Sequence, residues 1–237
     1  WIVTGDGDAL SIGGNHLIHL LRRDIDVNVL LFNNEIYGLT KGQYSPTSKQ
    51  NLITKSSPFG NDTKPFNTLS LVLGAGATFV ARSIDREAKH LQNMLIETKN
   101  HEGASFLEIY QNCHIFNDGT FENYTDKALQ KRNTLFLEDE KPLIFGENEE
   151  LGIKFDGLTP IVVNRADVSD NDLWIHDSKD KIKANILCSV VDIDEKFPKL
   201  FGVIYENKLA KQKKEKLSVS NKEYLNSVIR GNNYWSI

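Results

Sequence analysis

Apolar and polar positions alternate in two textures along the chain. Up to about residue 110, short apolar runs are separated by amphipathic stretches. Residues 1–4 read as a strand, Gly5-Asp6-Gly7-Asp8 as a turn, and residues 9–23 as a helix carrying Leu10, Leu17, Ile18, Leu20 and Leu21. Residues 27–32 are apolar almost without a break, the pattern of a strand covered on both faces. From about Lys41 to Asn67 the chain is rich in Ser, Thr, Pro and Gly, a loop long enough to suggest a functional role. A strand is predicted at 78–82, a helix at 84–99 with Ile84, Ala88, Leu91, Leu95 and Ile96 on one stripe, and a strand at 104–110. Strand–helix–strand order with crossovers of this length predicts an α/β fold, a doubly wound and mostly parallel sheet with helices on both faces.

The texture loosens after Tyr110. Residues 113–130 are polar and read as irregular. Isolated short strands are predicted at 142–146 and 159–163, a helix at 180–190 and a last strand at 201–205. Residues 206–216 are dense in lysine (Lys208, Lys211, Lys213, Lys214, Lys216), and a polar tail follows. The expected division is 1–112, a C-terminal extension over 113–205, and a lysine-rich tail over 206–237.

Composition narrows the class. The 237 residues are 40% hydrophobic and 25% charged, which excludes a disordered tail, a collagen-like fibre and a disulfide scaffold. A net charge of −4 argues against nucleic acid as partner. No apolar run approaches the roughly 20 residues that span a bilayer, so no membrane is expected. Two distant cysteines, Cys113 and Cys188, fit a reducing cytoplasm. The chain opens on a strand without an initiator methionine, which reads as N-terminal truncation.

Candidate chemistry lies at the ends of the first two strands. Glycines flanking Asp6 let the backbone approach a ligand, and the following helix offers free N–H groups to an anion. Asp6 and Asp8 would repel a diphosphate unless a cation lay between them, so the pattern favours a metal-bridged phosphate and Mg²⁺. Asn33-Asn34 follows 28 positions after Asp6, one helical crossover away. An Asn34 amide oxygen and the Ile36 carbonyl are neutral hard donors suited to the same ion. Taken singly, each of these motifs reads as an ordinary turn.

Strand, Gly-Asp-Gly, helix, strand and paired asparagine in this order form the pattern of thiamine-diphosphate enzymes. Gly38-Leu39-Thr40-Lys41-Gly42-Gln43-Tyr44-Ser45-Pro46-Thr47 resembles a segment of the 2-oxoacid:ferredoxin oxidoreductase β subunits. Gly13-Gly14-Asn15-His16, Pro65-Phe66-Asn67, the stretch from Ala75 to Arg82, and Glu108-Ile109-Tyr110-Gln111-Asn112-Cys113 extend the likeness. It covers residues 1 to about 205, is motif-rich over the first 120, and leaves the last 30 unmatched.

The resemblance implies the thiamine-diphosphate-binding fold. It assigns Mg²⁺ to Asp6, Asn34 and the Ile36 carbonyl, and the diphosphate to Gly5, Gly7, Asp8, Gly38, Leu39 and Thr40. Thr40 and Lys41 are implied near the thiazolium as catalytic residues, with Lys41 meeting the substrate. A solvated loop lysine is the plain alternative. Cys113 matches a thiolate ligand of a [4Fe–4S] cluster whose other ligands lie upstream in the family. Here it marks either a truncated cluster-binding chain or a buried thiol. The implied activity is coenzyme A-dependent oxidative decarboxylation of a 2-oxoacid, 2-oxoglutarate before pyruvate, with electrons passed to ferredoxin. The α subunit would supply the acidic group for the aminopyrimidine and much of the substrate pocket, leaving this chain inactive alone. The tail lysines either meet an acidic ferredoxin or form a solvated helix face. A non-redox thiamine-diphosphate decarboxylase or synthase and a non-catalytic binding module are the rival readings.

Overall fold

The structure is a computed structural model that describes residues 1–190 and 196–208. The first half winds as strand, helix, strand: β1 (Ile2–Gly5), a π-helical turn (Asp8–Ile12), α1 (Gly14–Arg22), β2 (Val27–Asn33), α2 (Thr68–Gly74), β3 (Phe79–Ile84), α3 (Ala88–Asn100) and β4 (Ala104–Tyr110). Two one-turn helices, α4 (Glu122–Thr125) and α5 (Gln130–Asn133), lead to β5 (Thr134–Phe136). Then come β6 (Ile144–Phe145), β7 (Leu151–Asp156), β8 (Thr159–Asn164), α6 (Lys181–Val190) and β9 (Lys199–Glu206).

The main sheet has the order β1-β2-β4-β3-β9-β5. Its first four strands are parallel, β9 runs antiparallel to β3, and β5 lies parallel to β9. Every residue of β3 and β4 is buried, which fits their mostly apolar composition. On one face, Leu17 and Leu21 of α1, Leu69, Val72 and Leu73 of α2, and Leu187 of α6 join Val29, Leu31, Val80 and Phe106 in one core. On the other, Leu91, Met94 and Leu95 of α3 cover Leu30, Phe79, Ala81, Leu107 and Ile109. The doubly wound, mostly parallel α/β sheet is as the periodicity predicts. β1 and β5 are its edges among the described residues, and β1 carries exposed Trp1 (59%) and Val3 (66%) on or beside it.

Several elements differ from expectation. The helix read from residue 84 starts at Ala88, because Ile84 is the last rung of β3 and pairs with Tyr110. Its place on the apolar stripe is coincidence of spacing. The helix read over 9–23 is split: a π turn closes through Gly13 N–H to the Asp8 carbonyl at 2.6 Å, and α1 starts afresh at Gly14. The turn read at Gly5–Asp8 is helical from Asp6, with Gly7 at φ −64° and ψ −41°. The stretch read as irregular over 113–130 contains α4 and the start of α5. The strands read as isolated pair through β7 in an antiparallel three-stranded sheet, which the charged Lys154 and Asp156 hid from the periodicity. Of the lysine-dense stretch, Lys208 is described and meets Glu206 at 3.1 Å; residues 209–237 lie outside the described residues. No helix among the described residues is long and apolar enough to cross a membrane.

Candidate active site

Parallel strands β1, β2, β4 and β3 end on one edge of the sheet, and the predicted site residues gather there, beyond Gly5, Asn33, Tyr110 and Ile84. Ligands bind along such an edge in open α/β sheets. Asp6 leaves β1 and is buried. Its carboxylate accepts from Thr47 Oγ1 at 2.6 Å, and from the Ser45 hydroxyl and the main-chain amide of Asn34. Burial pushes its pKa up from 3.8, against the pull of these donors. Among the described residues no lysine, arginine or histidine forms an ion pair with it.

The turn after β2 is pinned from several sides. Asn34 Oδ1 accepts from Ile36 N–H at 3.2 Å, and Asn117 Nδ2 donates to the Asn34 carbonyl at 3.0 Å. The buried Ile36 offers a carbonyl with no hydrogen-bond donor among the described residues. Between them, Glu35 has φ +56°, a conformation non-glycine residues seldom take. Its carboxyl accepts from Thr120 Oγ1 at 2.8 Å, and burial pushes its pKa up from 4.5 while Thr120 and Lys49 draw it down. Tyr37 crosses back to the first turn and donates its hydroxyl to the Gly7 carbonyl at 3.0 Å. A Cβ on Gly7 would collide with the Tyr37 ring, so this glycine is required by a side chain of the protein itself.

Gly38, Leu39, Thr40 and Lys41 form a tight loop closed by Tyr37 N–H to the Gln43 carbonyl at 2.7 Å. Thr40 Oγ1 donates to the Tyr37 carbonyl at 3.2 Å. Leu39 is 98% exposed and Lys41, at φ +67°, is exposed as well. Behind the loop a cavity of about 510 Å³ is lined by Asn33, Glu35, Thr47, Arg82, Glu108 and Tyr110, among others.

The donor set fits a hard divalent cation shared with a phosphate. One buried carboxylate, an amide oxygen and a free main-chain carbonyl sit on two adjoining turns, and the Asp6–Gly7–Asp8 amides open a helical turn. No cluster of three His, Cys, Asp or Glu stands among the described residues, so a cation held here would draw on ligand oxygens to complete its sphere.

Comparison with known proteins bears on the same residues. Residues 1–109 match the thiamine pyrophosphate enzyme, C-terminal TPP binding domain family. The 2-oxoglutarate oxidoreductase subunit KorB of Mycobacterium tuberculosis is 49% identical over 179 residues, 76% of this chain and 48% of that protein. The chain is similar to the β subunits of 2-oxoacid:ferredoxin oxidoreductases. A second relative, the 2-oxoacid:ferredoxin oxidoreductase subunit beta of Saccharolobus solfataricus, is 40% identical over 127 residues, 54% of this chain and 42% of its own. The chain therefore spans about half the length of the curated relatives it matches. A solved 2-oxoglutarate:ferredoxin oxidoreductase from Magnetococcus marinus, with 2-oxoglutarate, coenzyme A and succinyl-CoA bound, has the same fold. It superposes with a TM-score of 0.63 at 24% identity, over 88% of this chain and 58% of that one.

In this chain Cys113 is partly exposed, and Cys188 is buried in the core beneath α2. Two thiols in 237 residues do not make the four-thiolate set of a [4Fe–4S] cluster, so the residues present here do not by themselves fit that group. Sequence reasoning assigned no role to Thr47, Ser45, Asn33, Glu35, Arg82 or Glu108. The signal for the last two was present: each is a lone charge in an otherwise apolar strand, and the ladder sets them side by side.

Proposed function

We propose that this chain forms the thiamine diphosphate- and Mg²⁺-binding half of a 2-oxoacid:ferredoxin oxidoreductase, with 2-oxoglutarate as substrate. The single observation that carries the reading is Asp6: a buried carboxylate without a described cationic partner, at the strand edge where Asn34 and Ile36 present neutral oxygens. Asp6, Asn34 and the Ile36 carbonyl would hold Mg²⁺. The amides of Gly5, Gly7 and Asp8 and of Gly38, Leu39 and Thr40 would line the diphosphate. Bound there, thiamine diphosphate would supply an electron sink for loss of CO₂ from the 2-oxoacid.

The chain's own residues orient and neutralise. Tyr37 ties the two turns together, so that the metal ligands and the phosphate-facing amides move as one body. Lys41, held out on its loop, would meet the substrate carboxylate once a second subunit closes over it. That α subunit would bring the acidic group for the aminopyrimidine, and coenzyme A and ferredoxin would complete turnover in the cytoplasm. Residues 1–112 would carry the cofactor, and residues 113–205 would extend that core. Cys113 would enter a [4Fe–4S] cluster only with thiolates from outside this sequence.

The test is titration of the full αβ enzyme with thiamine diphosphate and Mg²⁺, followed by viologen reduction with 2-oxoglutarate or pyruvate. The wild type is expected to bind and to turn over 2-oxoglutarate, Asp6→Ala to lose cofactor binding, and this chain alone to reduce nothing. Unchanged cofactor affinity in Asp6→Ala would overturn the reading.

A further inference from the structure

Five polar side chains run in a row along the site edge of the sheet: Asp6, Thr47, Asn33, Glu108 and Arg82, none more than 4% exposed. Neighbours along the row stand at hydrogen-bond distance. Thr47 Oγ1 lies 2.6 Å from Asp6 Oδ2 and 2.9 Å from Asn33 Oδ1. Asn33 Nδ2 donates to Glu108 Oε1 at 2.8 Å, and Arg82 Nε donates to Glu108 Oε2 at 2.7 Å.

The direction of each bond follows from the groups. Arg82 only donates, and the Glu108 carboxylate only accepts. Asn33 must then turn its NH₂ to Glu108 and its oxygen to Thr47, where that oxygen also receives Glu35 N–H at 3.1 Å. Thr47 has one hydroxyl proton and faces the Asp6 carboxylate, the Asn33 oxygen and, at 3.2 Å, the Ser45 hydroxyl. Asp6 is the nearest of the three and carries the charge that strengthens such a bond. The proton therefore goes to Asp6.

We infer that Thr47 is a positioning residue for the Asp6 carboxylate, through the hydroxyl it donates at 2.6 Å, and so sets the affinity of the divalent-cation site. This rests on the reading of Asp6 as a cation ligand. A partner that orients a metal ligand commonly changes metal affinity by roughly 10–100-fold when removed. Packing alone would be served as well by valine, which has nearly the shape of threonine but no donor.

The experiment measures Mn²⁺ binding by the full αβ enzyme in the presence of thiamine diphosphate, read as free Mn²⁺ by electron paramagnetic resonance. Thr47→Val is expected to weaken binding by at least about tenfold, and Thr47→Ser, which keeps the hydroxyl, to stay within about twofold of wild type. Should the valine variant fail to fold, Thr47→Ala carries the same expectation. Wild-type affinity in the variant lacking the hydroxyl would overturn the inference while leaving the cation site standing. Equal loss in Thr47→Ser would overturn it too, because the methyl rather than the hydroxyl would then matter. A wild-type enzyme that takes up no Mn²⁺ would overturn the proposed function and this inference together.

Discussion

Asp6 shows what a buried carboxylate does to the fold that holds it. Burial raises its pKa above 3.8, and the same cause raises Glu35 above 4.5. A group whose folded pKa lies above its unfolded value contributes stability only below the unfolded value, and that contribution is lost as pH rises through the folded one. Once ionised, both carboxylates therefore weigh against folding in the ligand-free chain. Asp6→Asn is expected to raise the ligand-free Tm at pH 7 and to abolish the rise in Tm that Mg²⁺ with thiamine diphosphate gives the wild type. A thermal melt of both proteins, with and without ligand, checks this. A lower ligand-free Tm in the variant would contradict it.

At the scale of elements, the Arg82–Glu108 pair joins the centres of β3 and β4 across one rung of the ladder. Arg82 also lies over the Tyr110 ring at 5.0 Å. Removing one partner of a buried pair strands the other. Glu108→Leu is expected to cost about 3–5 kcal/mol in urea unfolding, and Glu108→Leu with Arg82→Met to recover most of it. Additive losses would contradict this. Gly7→Ala drives a methyl into the Tyr37 ring and is expected to cost about 1–3 kcal/mol, less when Tyr37 is replaced by leucine. The central strands were readable because β2 and β4 are mostly apolar, and the candidate-ligand pattern because its residues are neighbours in sequence or one crossover apart. The Asp6–Thr47 and Asn33–Glu108 contacts were not readable, because they join residues 41 and 75 positions apart, the first brought together by the path of the loop after β2 and the second by the parallel register of β2 and β4. Ile84 misled for a different reason, since its spacing satisfies both a helix stripe and a strand end.

Over the whole molecule, the edge of the sheet opposite the site is clasped by a polar cluster. Thr78 Oγ1 donates to Asp24 Oδ1 at 2.8 Å and stands 2.9 Å from His101 Nε2, while His101 Nδ1 lies 3.6 Å from Glu206. Gly103, at φ +133°, passes so close to Asp24 and Thr78 that no side chain would fit there. Burial lowers the pKa of His101, and of His90 and His176, below the ordinary 6.5. Their neutral forms support folding above the unfolded value, and the support is lost as pH falls through the lower folded values. The Tm is expected to drop between pH 7 and pH 5.5, by less in His101→Gln, and a pH series of melts measures it; a flat profile would refute it. At the far side, β1 leaves one row of main-chain donors and acceptors open among the described residues, beside Trp1 and Val3. Such a row is an adhesive seam along which copies should self-associate, so that Val3→Lys should shift light scattering toward the monomer.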